Sequence, residues 1–148
     1  MTAPNIVGVN TITGITTSLH LTTTPQTIIS NAFDSNRVYK VNNILISNKD
    51  GSSAANVFVK FHPYGATGAG SSVSIAHEIS VAADSSLVVL DKASAIYLEE
   101  NKSIVAYSSA NDDLDIISSF EIIEWYFLVK QTILGDNKSG NYNWILFF

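Results

Sequence analysis

The sequence has no cysteine, one arginine (Arg37), three prolines and one methionine in 148 residues. Without cysteine there is no disulfide framework, no thiolate metal site and no cysteine nucleophile, so burial and backbone pairing must hold the fold. The lone arginine and a formal net charge of −5 leave no cluster of basic side chains. Nucleic acid is bound through such clusters, which displace condensed counterions, so DNA or RNA is not expected as a direct partner. The acidic balance also argues against an anionic membrane surface. Charged residues make up 14% of the chain, below the roughly 25% of an average domain. Ser, Thr and Asn carry the polar role instead, which suits a surface packed against other subunits. The opening "MTAPNIVGVN" has neither a basic n-region nor a long apolar run, so secretion through a signal peptide is not expected.

What is present is alternation. In "ITTSLHLTTT", Ile15, Thr17, Leu19 and Leu21 fall on one face and Thr16, Ser18, His20 and Thr22 on the other, as in a half-buried strand. "TIIS" after Pro25 reads as a second, short strand. "RVYKVNNILISN" and "NVFVKFH" are β-rich runs, and Asp50-Gly51 between them predicts a hairpin with a longer loop. "VSIAHEISV", "LVVLD", "IYLEEN", "SIVAYSSA" and "LDIISSFEII" follow at spacings near ten residues. The best helical candidate is one short turn, "AFDSNR". Eight or nine short strands split by regular turns predict an all-β fold, a single β-sandwich of the jelly-roll or immunoglobulin-like kind. A composition shift near residue 125 divides the chain into a sandwich domain, residues 1–124, and an apolar C-terminal extension, residues 125–148.

The residues that carry chemistry elsewhere form no constellation here. His20, His62 and His77 each fall on a strand face opposite the predicted core, at no metal-ligand spacing, and read as surface or interface histidines. "NDDLD" gathers Asp112, Asp113 and Asp115 but lacks the central glycine and distal glutamate of a calcium loop, so it reads as a solvated turn. The glycine-rich residues 65–72 lack the lysine and following helix of a phosphate loop. Glu99 and Glu100 are adjacent on a strand end and so point to opposite faces. No serine sits in a recognisable nucleophile signature. No enzymatic activity, cofactor or metal site is therefore assigned. A carbohydrate-binding module would need exposed aromatics, for which Tyr64, Tyr97 and Tyr107 are the candidates. A jelly-roll hydrolase or isomerase would have little beyond His77 and Glu78 to work with.

The strongest feature is the extension. Residues 125–148 hold seven of the fifteen aromatics and both tryptophans. Its two apolar runs, the first of residues 125–134, flank "GDNKSGNYN", which has the chemistry of a hairpin loop. The first run is about half the roughly twenty apolar residues of a membrane-spanning helix, and Lys130 interrupts it. A membrane anchor is therefore the weaker reading. Left exposed, the extension would be an aggregation hazard. It either completes the domain's own core as final strands or packs on another chain, where Trp, Tyr and Phe are enriched. The candidate partner-interface residues are Trp125, Tyr126, Phe127, Leu128, Tyr142, Trp144, Phe147 and Phe148.

Three stretches, "TAPNIVGVNTITGITT", "VYKVNNILISNKDGSSAANVFVKF" and above all "SLVVLDKASAIYLEENKSIVAYSSANDDLDIISSFEII", resemble a family of small virion structural proteins. That family is encoded by tailed phages, especially those infecting cyanobacteria and other aquatic bacteria. The resemblance covers roughly residues 2–123. It implies a non-enzymatic all-β particle component with no catalytic residues to carry over. The expected role is a capsid decoration or cement protein on the assembled head, with a neck, tail or receptor-binding appendage component as the alternative. The resemblance does not fix the location within the particle. The chain is expected to be a homo-oligomeric or lattice-bound subunit, made in the host cytoplasm and located in the virion, whose partners are the major capsid protein or neck and tail proteins. Family members end soon after the strand matching residues 120–123, so the extension departs from the pattern.

Overall fold

The computed structural model describes residues 11–65 and 71–124. Nine strands follow one another: β1 (Thr11–His20), β2 (Gln26–Asn31), β3 (Arg37–Asn48), β4 (Ala55–His62), β5 (Val73–Val81), β6 (Ser86–Leu90), β7 (Ile96–Leu98), β8 (Lys102–Ser108) and β9 (Leu114–Glu124). They form two antiparallel sheets. The first, sheet A, runs β1-β9-β3-β6, with the short β7 beside β3 on the same side as β6. The second, sheet B, runs β2-β8-β4-β5. With β6 and β7 counted as one interrupted strand, this is the two-Greek-key order of a jelly roll, which decides between the two sandwich types expected. The boundary near residue 125, and all eight aromatic and apolar residues proposed for the extension, lie outside the described residues.

Period-two patterning puts one face of each sheet inward. Val57 and Val59 of β4, Ile104 and Ala106 of β8, Ile44 and Ile46 of β3, and Leu114, Ile116 and Phe120 of β9 make the core between the sheets. β3 serves the core along its whole length only because a bulge at Asn42 switches its inward set. Before it, Tyr39 and Val41 face inward; after it, Ile44, Ile46 and Asn48 do. Tyr39 stacks on Phe120 with ring centroids 5.4 Å apart.

Two buried asparagines tie the sheets together where the chain crosses between them. Asn31, at the end of β2, donates to Arg37 O (2.8 Å) and Leu98 O (3.0 Å) in sheet A and accepts from the Ser35 hydroxyl. Asn48, at the end of β3, donates to Val81 O and Ser53 O, both 2.9 Å, and accepts from the Asp50 N–H. This corrects the expected hairpin at Asp50-Gly51. β3 and β4 lie in different sheets, and the Asp-Gly turn is part of a crossing loop rooted on Asn48. The expected helical turn at "AFDSNR" is also absent. Asp34 and Asn36 take left-handed conformations, with φ of 57° and 53°, which break a helix. A 3-10 turn forms instead at Lys92–Ser94, where the Asp91 carboxylate accepts from the N–H groups of Ala93 and Ser94 and the Ser94 hydroxyl reaches back to the Asp91 N–H.

Candidate assembly surfaces

The outer face of sheet A is built from rows that cross the strands. Register places Ser18, Ile117, Leu45 and Val88 side by side on β1, β9, β3 and β6. All four point away from the core, because their sequence neighbours Leu19, Ile116, Ile46 and Leu87 point into it. Ile117 is 41% and Val88 56% exposed, and Leu45 between them is half-buried. This apolar row crosses three strands. Next to it runs a polar row, Thr16–Ser119–Asn43, in which the Thr16 and Ser119 hydroxyls are 3.0 Å apart. Beyond that lies a charged row in which Glu121 accepts from Asn42 Nδ2 (3.0 Å) and faces Lys40 at 3.9 Å. At that end the register row is Ile12–Ile123–Val38, in which Ile12 is exposed but Ile123 and Val38 are buried.

The other end of the face carries an ionic cluster. The Asp115 carboxylate accepts from Lys49 Nζ at 2.9 Å and lies 2.6 Å from His20 Nδ1. Burial works to raise the Asp115 pKa, but the hydrogen bonds from His20 and Lys49, with the charge they bring, outweigh it and hold the carboxyl below its usual range. All three groups sit at strand ends on an exposed surface, in the arrangement of a surface ion pair.

Sheet B presents a different outer face. Phe58 of β4 and Tyr107 of β8 stack nearly parallel, 4.5 Å between centroids and 4° between planes. His77 of β5 meets Phe58 edge-on at 5.5 Å, and Lys60 Nζ lies 5.4 Å from the Tyr107 centroid. The stacked faces of Phe58 and Tyr107 are turned toward one another, so this strip presents mainly ring edges outward.

The expected site residues are distributed as follows. His20 and His77 lie on outward faces, as anticipated. His62 also has outward register but is buried, with Nδ1 unpartnered among the described residues, which corrects its reading as a surface histidine. Asp112 occupies the solvated turn expected for "NDD", with a left-handed φ of 61°. Glu99 pairs with Lys102 at 2.7 Å, whereas Glu100 accepts from the Asn36 N–H, so the two diverge. Glu124 pairs with Arg37 at 2.6 Å. Among the described residues no group of three or more His, Asp or Glu converges as metal ligands would. No described helix is long and apolar enough to cross a membrane. Tyr64, Tyr97 and Tyr107 are not brought together. Tyr64 sits in the loop after β4, Tyr97 on the outer face of sheet A and Tyr107 on that of sheet B.

The Ile117–Leu45–Val88 row was not singled out from the sequence, although it leaves a signal there. "ILI", "DII" and "LVV" each place an apolar residue on both parities of a strand, which a one-sided strand does not need.

No family model matches the chain, and no curated protein does. Among solved structures, the chain is similar to a protein of Bacillus endospore appendages, described as disulfide-linked pili. The two share 12% identity at a TM-score of 0.47, over 78% of this chain and 88% of that one. It is also similar to a chain of infectious bursal disease virus, Gx strain, at 11% identity and a TM-score of 0.40, over 77% of this chain and 33% of that one.

Proposed function

We propose that the protein is a non-enzymatic structural subunit of a tailed-phage virion, docked through the outer face of sheet A as a decoration or cement protein on the head. The observation that carries this reading is the Ile117–Leu45–Val88 row. Three large apolar side chains stand outward across neighbouring strands of a face whose charges are largely paired with one another. Apolar patches of this sort, rimmed by polar residues, mark protein–protein contacts. The resemblance of residues 2–123 to virion structural proteins supports the same reading. The jelly-roll strand order supports it by analogy of fold, since viral capsid domains use it among others. We assign residues 125–148, which follow Glu124 in the sequence, the role of an arm that reaches a neighbouring subunit.

A neck or tail component would use the same surfaces on a different partner. The glycan-binding alternative draws little support, because its three tyrosines lie on three different surfaces and Tyr107 is stacked on Phe58.

Mass spectrometry of purified virions, with immunogold labelling by antiserum to this chain, tests the proposal. The chain is expected in the particle with label over the head. Label confined to neck or tail replaces the decoration role with the alternative, and absence from the virion contradicts the proposal.

A further inference from the structure

The four sheet edges are not equally protected. An open edge is a template for pairing with another chain, and proteins blunt edges with bulges, breaks, short strands, lysine or proline. β2 is six residues long and bulged between Thr27 and Ile29. β5 shifts register twice against β4, and its Glu78 is left-handed at φ 53°. The β6/β7 edge is interrupted by the 3-10 turn at Lys92–Ser94. β1 has none of these devices. It runs ten residues, "TITGITTSLH", in unbroken register with β9, and contains no lysine, proline, Asp or Glu.

The phase of the free edge follows from one hydrogen bond. Leu21 N–H donates to Leu114 O at 2.8 Å, in the same register as β1. N–H and C=O groups of one residue point to the same side of an antiparallel strand, and the side alternates. The odd-numbered residues of β1 therefore bond to β9. Ile12, Gly14, Thr16, Ser18 and His20 turn their backbone groups to the side where no described strand lies. The seam beneath this edge is also incompletely closed. Ile15 and Leu19 point inward yet remain 36% and 37% exposed, and the Thr17 hydroxyl between them is buried with no partner among the described residues.

We propose that β1 is the strand through which two copies of this chain pair, antiparallel and edge to edge, about a two-fold axis at Thr17. This register sets Ile15 of each copy opposite Leu19 of the other, so both exposed inward side chains are covered. Thr16 faces Ser18, and Gly14, where a Cβ would meet nothing within 4 Å, faces the bulk of His20. No carboxylate or ammonium of β1 is brought against its like. Thr17 faces its own copy as a non-hydrogen-bonded pair, the closer of the two cross-strand spacings, where threonine hydroxyls can bond to each other. Pairing of this kind is isologous and closed, so it stops at two copies. The inference deepens the assembly reading by naming a partner. Self-association and virion location are measured separately, so either can fail alone.

Sedimentation equilibrium of the full chain at about 100 µM tests it. The wild type is expected to show twice the monomer mass. Thr16→Pro removes an outward N–H, which an edge strand tolerates, together with the exposed hydroxyl contact to Ser119, and Ile15→Lys places an inward charge on the edge. Each is expected to return the mass to that of one chain, with the thermal unfolding transition retained in Thr16→Pro. Because the chain has no cysteine, Thr17→Cys should form a disulfide-linked dimer on mild oxidation, whereas Ser74→Cys on β5 should not. A monomeric wild type overturns the proposal, and this is the outcome if residues 125–148 cover β1 within one chain. A wild-type dimer that survives Thr16→Pro, or that fails to cross-link through Thr17→Cys, also overturns it.

Discussion

Asn48 shows how much of this sandwich depends on single side chains where the chain changes sheets. Its amide spans Ser53 O and Val81 O while its carbonyl holds the Asp50 N–H. Asn48→Ala leaves the buried Val81 O and two part-buried groups without this partner, and should cost about 1–3 kcal/mol, read as a lower urea midpoint at unchanged slope. Asp115 gives a second prediction at this scale. Its folded pKa lies below the ordinary value of 3.8, so its contribution to stability is complete above that value and is lost as pH falls through the folded one. Asp50 and Asp91 are depressed too, chiefly by the Ser52 and Ser94 hydroxyls. Urea midpoints should therefore fall as pH drops below about 4. Asp115→Asn should reduce that dependence by no more than the amount a surface pair is worth, about 1 kcal/mol or less.

At the scale of elements, β1 and β4 were legible because each obeys period two with one apolar face. Val57 and Val59 face the core as the alternation requires. β3 was legible as a strand but not in its register, because the bulge at Asn42 reverses the parity of its inward set. The Asp50-Gly51 turn was misplaced for a physical reason. A tight Asp-Gly turn is compatible with a hairpin and with a loop between sheets, and only the amide of Asn48 reaching Val81 O distinguishes them. The "DKAS" turn was missed, although Asp91 three residues before Ser94 is a capping pattern open to reading. The extension belongs to this scale as well. Among the described residues, strands β1 to β9 already make a complete jelly-roll order within residues 11–124, so a chain ending at 124 should keep its β-sheet circular dichroism and cooperative unfolding while losing binding to virions. An unfolded truncated chain would instead place the extension in the core of its own domain.

For the whole molecule, the candidate surfaces came partly from sequence and partly from topology. Low charge and a greasy terminus pointed to a subunit that meets other proteins. The Ile117–Leu45–Val88 row appeared only once three strands distant in sequence were set side by side, and the unprotected edge of β1 only once the other three edges were compared with it. The expected all-β sandwich was recovered among the described residues, and the strand order narrowed it to a jelly roll. The most direct test of the assembly reading is a reconstruction of the intact virion at side-chain resolution. The account predicts a jelly roll of this chain on the head, with Ile117, Leu45 and Val88 buried against a neighbouring protein. Finding that face in solvent, or no copy of the chain in the particle, would contradict it.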